Sequence, residues 1–335
     1  MATVTGDPRH VGLLLFPEFS MMALASASEP LRAANRLAGR ELYRWHLLGR
    51  DAALVTSSSA IALQVAALDD VASLLDRLFV VASLAVDTLH DPAIHRSLQR
   101  LASRGAIVGA LSNGSFVLAR AGLLDGHRCT LHWESLRQFA EEFPAIDACR
   151  ELYVRDRNRL TCAGGTAAMD LMLEQIATDH GAQLAADVAE QFLHSRIRGP
   201  HEQQRMAIQW RYGVNDARVA KAITLMEINL EPALSIDDIA QQCNLSVRQL
   251  QRLWTQLFGQ TPQRFYIDLR LAEARRLLAE STESICSIAL RCGFGSASHM
   301  GSAYRTKYGF SPGAARRNSD KRDRTLTADA IANSN

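Results

Sequence analysis

The sequence predicts an α/β sandwich, in which helices cover both faces of a mostly parallel sheet, followed by an all-α domain with two helix-turn-helix units. Two observations support this architecture. Short β-rich runs alternate with helical runs between residues 10 and 195, as parallel strands and crossover helices do. Farther along, one helical pattern is written twice, about fifty residues apart, in the stretch that ends at Pro312. The chain has 335 residues, a length that fits about two domains.

The runs of the first domain assign its elements in chain order. Strands are predicted at 10–16, 43–48, 79–82, 106–111, 152–154 and 160–163, and helices at 20–37, 92–103, 116–121, 134–142, 166–178 and 183–193. This alternation is typical of a flavodoxin-like sandwich, whose ligands bind outside the carboxyl ends of the strands. The longest apolar run, 78–86, is too short to cross a bilayer and is interpreted as a buried strand.

The second domain is built on the internal repeat, in which apolar positions match apolar positions and caps match caps. The matched pairs include Ile239 with Ile288, Cys243 with Cys292, Leu250 with Met300, Trp254 with Tyr304, and Pro262 with Pro312. Asn244 and Gly293 fall at the two turns, where a residue that tolerates the left-handed conformation is needed. Two rigidly joined copies of one small helical unit suit a double helix that presents the same groove once per turn.

The helix predicted at 247–258 has an unusual polar face. Ser246 and Gln249 form a capping box at its start. The face opposite its apolar stripe contains only Arg, Gln and Thr, without a carboxylate, at positions Arg248, Gln249, Gln251, Arg252, Thr255 and Gln256. Arg pairs with guanine and Gln with adenine in the major groove, so this face favours a DNA-reading helix. The alternative is a merely solvent-exposed helix, in which Glu and Lys are usually mixed.

The connection between the two copies agrees with DNA binding. Thr261 and Pro262 are a helix cap and first residue, and the helical run 263–280 that follows spans roughly 28 Å, close to the roughly 34 Å between successive major-groove faces. From Arg248 to Arg317 there are eleven Lys or Arg against four Asp or Glu, although the whole chain carries a formal charge of only +2. Basic charge concentrated on one segment indicates a phosphate-binding surface.

These residues resemble the DNA-binding domain of the AraC/XylS family of transcription regulators. The match covers roughly 219–317 and rests on S-V-R-Q-L-Q-R-L-W at 246–254, I-A-L-R-C-G-F-G-S-A-S-H-M at 288–300 and Y-R-T-K-Y-G-F-S-P at 304–312. The resemblance implies base-reading side chains at Arg248, Gln249, Arg252, Ala297, Ser298, His299 and Ser302, and phosphate contacts at Ser246, Thr255, Gln256, Ser296, Arg305 and Lys307. Ser302 stands where many members carry Arg, so we expect the second unit to contribute mainly phosphate contacts.

The end of the strand 106–111 is distinctive. A Ser-Asn-Gly turn at Ser112 leads from it into a helix, as in a nucleophile elbow, and His132 follows in T-L-H-W. A Ser and a His form a hydrolytic pair when an acid orients the imidazole. The alternative, which we prefer, is that Ser112 only caps the helix and that His132 is a hydrogen-bonded core residue.

The first domain resembles the PfpI/ThiJ-type, class I glutamine amidotransferase-like domain. The segments that carry the likeness are F-P-E-F-S at 16–20, G-A-L-S-N-G-S-F at 109–116, T-L-H-W at 130–133 and T-C-A-G-G-T at 161–166. With the second domain, this is the organisation of the GlxA family of regulators. Enzymes of the PfpI/ThiJ group use a Cys where Ser112 stands, and an acidic residue at about the position of Ala23. Loss of both groups predicts a former enzyme pocket kept as a sensor.

The resemblance implies a nitrogenous effector such as arginine, another amino acid, carnitine or glycine betaine. The expected effector-binding residues are Glu29, Ser112, Asn113, His132 and Trp133, where Glu29 would pair with a cation and Trp133 would supply a cation–π face. We expect the effector to bind one of two arrangements better, within a homodimer, and to pass the change to the DNA-binding pair. The expected result is activation of a metabolic operon with RNA polymerase.

The remaining expectations concern organisation and location. The predicted domains are 1–196 for the sensor, 197–216 for a linker, 217–317 for the DNA-binding domain and 318–335 for a disordered tail. No signal-peptide pattern and no C-x-x-C or zinc spacing is found, so we expect a cytoplasmic, nucleoid-associated protein without metal or cofactor. Two alternatives stay open: an amidase or glyoxalase-like hydrolase with Ser112 as nucleophile, and a repressor that needs no ligand.

Overall fold

The computed structural model describes residues 7–83 and 90–317, and the predicted tail at 318–335 lies outside them. The chain divides into two compact units, Met1–Arg205 and Met206–Asn335. The segment 197–216, predicted as a linker, is therefore shared, and its part up to Arg205 belongs to the first unit. Within the described residues no helix is long and apolar enough to cross a membrane.

The first unit contains the following elements. The strands are β1 (Arg9–Leu15), β2 (Tyr43–Gly49), β3 (Ala53–Thr56), β4 (Ala62–Ala67), β5 (Arg77–Ala82), β6 (Ile107–Ser112), β7 (Arg128–Thr130), β8 (Asp147–Cys149), β9 (Tyr153–Asp156) and β10 (Arg159–Cys162). The helices are α1 (Met21–Ala38), α2 (Leu68–Val71), α3 (Pro92–Ser103), α4 (Gly114–Arg120), α5 (Leu136–Glu142), α6 (Ala167–His180) and α7 (Ala182–Gln191), with a short 3₁₀ turn at Ala72–Leu74.

The main sheet confirms the flavodoxin-like prediction and extends it at one edge. Its described strands run in the order β3-β4-β2-β1-β5-β6-β10-β9, and the pairs from β4 to β10 are parallel. The edge strands β3 and β9 are antiparallel to their neighbours. The hairpin of β3 and β4 and the small parallel pair of β7 and β8 were not predicted from the sequence. Because the central strands are parallel, their carboxyl ends meet at one edge of the sheet.

Alternate residues of the central strands pack on opposite faces of the sheet. Leu13 and Leu15 lie in the hydrophobic cluster formed with α1, α6 and α7, whereas Leu14 lies in the cluster formed with α3 and α4. Burial on both faces explains why these strands are continuous apolar runs in the sequence. The result is a rigid sheet, which fixes the position of every loop at its carboxyl edge.

The second unit contains only helices among its described residues. They are α8 (Ile208–Tyr212), α9 (Ala217–Ile228), α10 (Ile236–Gln242), α11 (Val247–Phe258), α12 (Pro262–Glu280), α13 (Ile285–Arg291) and α14 (Ala297–Tyr308). The two predicted turns are present, since Asn244 and Gly293 have φ angles of 55° and 72°. The spacing of apolar residues in 247–258 predicts that Leu257 faces the core, but in α11 it is 46% exposed.

Helix α12 belongs to both hydrophobic cores of the second unit. Near its start, Phe265 and Tyr266 pack with α9, α10 and α11. Toward its end, Leu271 and Leu278 pack with α13 and α14. Because a straight helix of 19 residues spans roughly 28 Å, this arrangement sets the separation of the two helix-turn-helix units.

The Arg270 side chain ties α12 to the turn of the second helix-turn-helix. Its guanidinium donates to the carbonyl of Cys292 at 2.7 Å and to that of Gly293, and it lies 4.3 Å from the ring centroid of Phe294. Burial lowers the pKa of this guanidinium. The two carbonyls and the aromatic face offset part of the free-energy cost of burying its charge. A Cβ added to Gly293 would lie 2.2 Å from the carbonyl oxygen of Leu230, so the same turn also approaches the loop after α9.

We predict that Gly293→Ala destabilises the second unit far more than Asn244→Ala, the matched change in the first repeat. Both substitutions place alanine at a left-handed position, which costs about 1–2 kcal/mol. Only the first also forces a Cβ against the Leu230 carbonyl, so we expect about 3 kcal/mol or more. Chemical unfolding of the full chain, followed by the loss of helical circular dichroism, measures the difference. Equal losses would show that the Leu230 contact is unimportant.

Candidate nucleic-acid interface and effector site

Helix α11 presents a basic and amide face without a carboxylate. Its inward face is fixed by Leu250 and Trp254, which are fully buried. On the other side Arg248 and Arg252 are exposed one helical turn apart, and neither has an ion-pair partner among the described residues. The remaining polar side chains of this face, Gln249, Gln251, Thr255 and Gln256, are also exposed. Guanidinium groups held this way remain available for base edges or phosphates.

The Gln249 side chain already has a structural role. Its Oε1 accepts from the backbone amide of Ser246 at 2.8 Å, and the Ser246 Oγ lies 3.0 Å from the same oxygen and 3.2 Å from the Gln249 amide nitrogen. This is the predicted capping box. It leaves only the Nε2 donor of Gln249 for DNA, so an adenine contact through both atoms of the amide would have to break the cap.

Helix α14 presents a smaller polar face. Met300 and Tyr304 are fully buried and orient the helix. Ser298, His299, Ser302 and Arg305 are exposed, and Ala297 is partly exposed. The ring of His299 rests edge-on against Phe294, with 5.5 Å between the ring centroids. The Ser296 Oγ accepts from the His299 amide at 3.1 Å and caps the helix.

Lys307 is occupied by contacts within the second unit. Its ammonium group donates to the backbone carbonyl of Asp268 at 2.9 Å and lies 3.2 Å from the carboxylate of the same residue. A phosphate contact by Lys307 would have to break these bonds. Arg305 has no such engagement among the described residues, so it is the better candidate of the two.

In the first unit, strand β6 ends at Ser112 in a sharp turn. Ser112 has a left-handed backbone, with φ at 57°, and is 5% exposed. Two glycines let neighbouring segments approach it: an added Cβ would lie 2.3 Å from the Val80 carbonyl oxygen at Gly114, and 2.6 Å from the Ser112 Cβ at Gly164. The sequence therefore builds the strand-turn-helix of a nucleophile elbow, with a hydroxyl at its tip.

Asn113 follows in the elbow and is also 5% exposed. Its backbone amide donates to Ala82 at 3.0 Å, and its side-chain Nδ2 donates to the Ser83 carbonyl at 2.5 Å. The Oδ1 atom is buried and has no hydrogen-bond partner among the described residues. A buried acceptor of this kind is stabilised when a ligand or water supplies a donor.

His132 and Trp133 follow a segment that contacts α4, the helix that begins at the elbow. The Ser115 hydroxyl donates to the Thr130 carbonyl at 2.8 Å, which holds the segment that leads to these two residues against α4. The imidazole Nδ1 of His132 lies 3.7 Å from the Glu134 carboxylate, an acid that the sequence analysis missed. Among the described contacts no hydrogen bond joins Ser112 to His132, so the hydrolytic pair is not assembled.

The acidic residues near this edge differ from those expected. Glu29 lies in the middle of α1, about 13 Å along the axis from the cap at Ser20, and its carboxylate pairs with Arg32 at 2.7 Å. Glu18 was missed: it follows β1 at the carboxyl edge and has a left-handed backbone, with φ at 59°. The Pro17-Glu18 pair after an apolar strand was the available signal. Ala23, where an acid was expected in related enzymes, is fully buried.

Residues 194–205, which we call the strap, pack on the first unit. At one end, the buried carboxylate of Asp170 accepts from His194 Nε2 at 2.8 Å and from the Arg198 guanidinium at 2.6 Å. At the other end, the Nε2 of Gln204 lies within 3.0 Å of the Thr130 hydroxyl and the Leu131 carbonyl. The strap was predicted partly as linker, and it contacts the segment that carries His132.

The last residue of the strap covers the expected cation–π face. The guanidinium carbon of Arg205 lies 4.3 Å from the ring centroid of Trp133, whose side chain is otherwise 36% exposed. The aromatic face that the sequence assigned to the effector is therefore occupied by a cation of the chain itself.

Comparison with known proteins agrees with both units. The DJ-1/PfpI family matches residues 12–178, and the helix-turn-helix domain family matches residues 239–318. The regulator GbdR of Pseudomonas aeruginosa is 40% identical over 91% of this chain and 83% of its own length. The regulator CdhR of the same species is 42% identical over 89% of both chains. GlxA of Rhizobium meliloti is 36% identical over 93% of this chain and 96% of its own length.

The chain belongs to this family of HTH-type transcriptional regulators. Its first unit is also similar to the crystal structure of an AraC family transcriptional regulator from Pseudomonas putida, with a TM-score of 0.52, 31% identity, and coverage of 55% of this chain and 100% of that chain. The second unit is 38% identical to part of the transcriptional activator RhaS of Klebsiella pneumoniae, over 32% of this chain and 38% of that protein.

Membership settles the role of the second unit, because an AraC-type helix-turn-helix regulator binds duplex DNA in a sequence-specific manner. It also means that the DJ-1/PfpI domain here is part of a regulator, while the domain family itself includes enzymes. The individual DNA-reading and effector-binding residues remain predictions from the sequence and from the geometry above.

We predict that Arg248→Ala or Arg252→Ala weakens binding to the protein's own promoter region by about 1–3 kcal/mol and relaxes base preference. Each guanidinium is exposed and without an ionic partner among the described residues, so its loss leaves the fold intact. Fluorescence anisotropy with a set of single-base variants of the site measures both effects. Arg218→Ala is the control, because Arg218 lies on α9 and pairs with Asp216 at 2.7 Å. A uniform loss on every DNA would make these arginines phosphate contacts instead.

Proposed function

We propose that this regulator activates an operon for the catabolism of amino acids or quaternary amines when a nitrogenous effector binds the elbow of its first unit. The observation that carries the effector proposal is the unpartnered, buried Oδ1 of Asn113 at the carboxyl edge of the sheet. Activation is supported by the similarity of the second unit to the activator RhaS. RNA polymerase, a second copy of the chain and a cytoplasmic location on the nucleoid belong to the same proposal.

The chemistry of the elbow favours an effector that carries N–H donors. The Asn113 acceptor lacks a donor among the described residues, and a primary amine, guanidinium or amide supplies one. Glu18 follows β1 at the same edge of the sheet and adds negative charge there. Arginine and other amino acids meet both requirements. A quaternary amine meets only the second, because its nitrogen has no hydrogen to donate.

We further propose that the first unit is not an enzyme. The elbow holds a hydroxyl rather than a thiol, and no described hydrogen bond connects it to a base. The nearby buried cysteines offer no substitute, because burial raises the pKa of both Cys129 and Cys162 to about 12 and keeps them as inert thiols. Two features favour the hydrolase alternative: the strained backbone of Ser112 and the Glu134 carboxylate near the His132 imidazole.

We predict that a nitrogenous effector changes promoter affinity by about five- to 150-fold, the usual range for coupled sites. Titration of the full chain into labelled promoter DNA, with and without arginine, carnitine and glycine betaine at millimolar concentration, measures the change. Asn113→Leu removes the buried acceptor and should abolish the response while the effector-free affinity stays the same. Equal promoter affinity with every compound would contradict the sensor proposal.

We predict that Ser112→Ala leaves promoter binding within about twofold of the unchanged protein, because Ser112 belongs to the first unit and no described contact of its hydroxyl would be lost. Gly114→Ala is the disruptive control, since its Cβ would meet the Val80 carbonyl. Both variants are also tested for amidase and glyoxalase turnover. Turnover by the unchanged chain that Ser112→Ala lowers by orders of magnitude would establish the hydrolase instead.

A further inference from the structure

The strap places an internal cation on the aromatic side chain of Trp133, three residues after Thr130, which is bonded to the helix that begins at the elbow. Arg205 covers Trp133 at 4.3 Å, and the preceding residue, Gln204, is held by the Thr130 hydroxyl and by the carbonyls of Leu131 and Glu151. Thr130 is in turn bonded to Ser115, three residues after the tip of the elbow. A short run of hydrogen bonds therefore links the helix after the elbow to the end of the strap, whose last residue covers the aromatic face.

The Gln204 side chain has more hydrogen-bond acceptors around its Nε2 atom than it has hydrogens to donate. Its side-chain amide has two hydrogens, while three acceptors lie within 3.0 Å of the Nε2 atom. Its Oε1 is buried and has no hydrogen-bond partner among the described residues. At most two of these three acceptors receive a hydrogen from Gln204 at one time, and its Oε1 stays unpaired within the described part of the chain, so the net stabilisation from this contact is reduced.

We propose that Arg205 is a resident competitor for the effector: a cationic effector takes the face of Trp133, displaces Arg205, and thereby releases the end of the strap. This inference rests on the proposed function and adds a mechanism to it. Two cations cannot occupy one face of the same ring, so binding of the effector and seating of Arg205 exclude each other. The apparent affinity for the effector is reduced by the fraction of molecules in which Trp133 is uncovered.

Release of the strap has a direct consequence for the second unit, which begins at Met206. The other end stays fixed, because Asp170 is fully buried and holds both His194 and Arg198. Between Pro200, whose carbonyl accepts from the Leu152 amide, and Met206 lie five residues, which extend to at most about 18 Å. Two of them also contact Glu151, since His201 Nδ1 lies 2.8 Å from its carboxylate and Gln203 forms a β-bridge with it, so release of Arg205 and Gln204 frees the segment first at its end next to Met206. The effector thus converts a chain segment clamped up to Arg205 into a tether that lets the second unit move.

The test compares Arg205→Gln with Arg120→Gln in the full chain. The second is a matched control, since Arg120 lies 5.5 Å from the ring centroid of Phe116 in the same unit but outside the strap. Without any effector, Arg205→Gln should raise amide hydrogen exchange at 201–205 about fivefold or more, and should shift promoter affinity toward that of the effector-saturated protein. In isothermal titration with arginine it should bind about three- to tenfold more tightly than the unchanged chain.

Further variants sharpen the outcome. Arg205→Lys keeps the cation and should restore slow exchange, whereas Trp133→Leu should release the strap and also weaken arginine binding. Unchanged exchange and promoter affinity in Arg205→Gln, or weaker arginine binding by it, would overturn the proposal. A different measurement tests the proposed function itself. If that function is wrong, no amine changes the promoter affinity of the unchanged chain. If Arg205→Gln still shifts promoter affinity in that case, the strap is supported and the effector class is wrong.

Discussion

The second unit depends on one constraint: a single helix, α12, supplies side chains to two separate hydrophobic cores. Phe265 is committed to the first core and Leu278 to the second, so neither end can shift without exposing apolar surface. Arg270, between them, donates to the carbonyls of the second turn and holds that turn on the helix. The spacing of the recognition helices is therefore a property of buried contacts, and regulation has to act on the unit as a whole rather than on the distance between its halves.

The elbow keeps the backbone geometry of a nucleophile elbow, although its serine is not hydrogen-bonded to a base among the described residues. A left-handed serine costs about 1–2 kcal/mol, and the glycines at 114 and 164 are needed to pack around it. Such strain persists only where the surroundings enforce it. Here the turn places the buried acceptor of Asn113 at the carboxyl edge of the sheet, which gives a reason to keep the turn when no base is hydrogen-bonded to the hydroxyl among the described residues. Ligand recognition requires the Asn113 acceptor to be placed at this edge, and it does not require a nucleophile at Ser112.

The sequence predicted those parts of the structure that depend on local patterns. The repeat located both left-handed turns, at Asn244 and Gly293, and the two-sided apolar strands located the parallel sheet. The hairpin of β3 and β4 was not predicted, because its residues are mostly solvent-exposed and its apolar pattern is weak. The contact of Arg205 with Trp133 was beyond prediction for another reason. It joins residues far apart in the chain, and nothing in either local segment specifies the partner.

The contacts at the two ends of the strap differ in strength, and this difference allows one end to open while the other stays bound. A buried carboxylate such as Asp170 strongly disfavours loss of Arg198, since the charge would then remain in the interior without a partner. The other end includes the hydrogen bonds of Gln204, an exposed His201–Glu151 pair and an aromatic face on a residue that is 36% exposed, each of modest strength. A ligand of ordinary affinity can therefore open the second end but not the first. The change it makes is confined to the residues that lead directly into the DNA-binding unit, where a small release has the greatest effect on function.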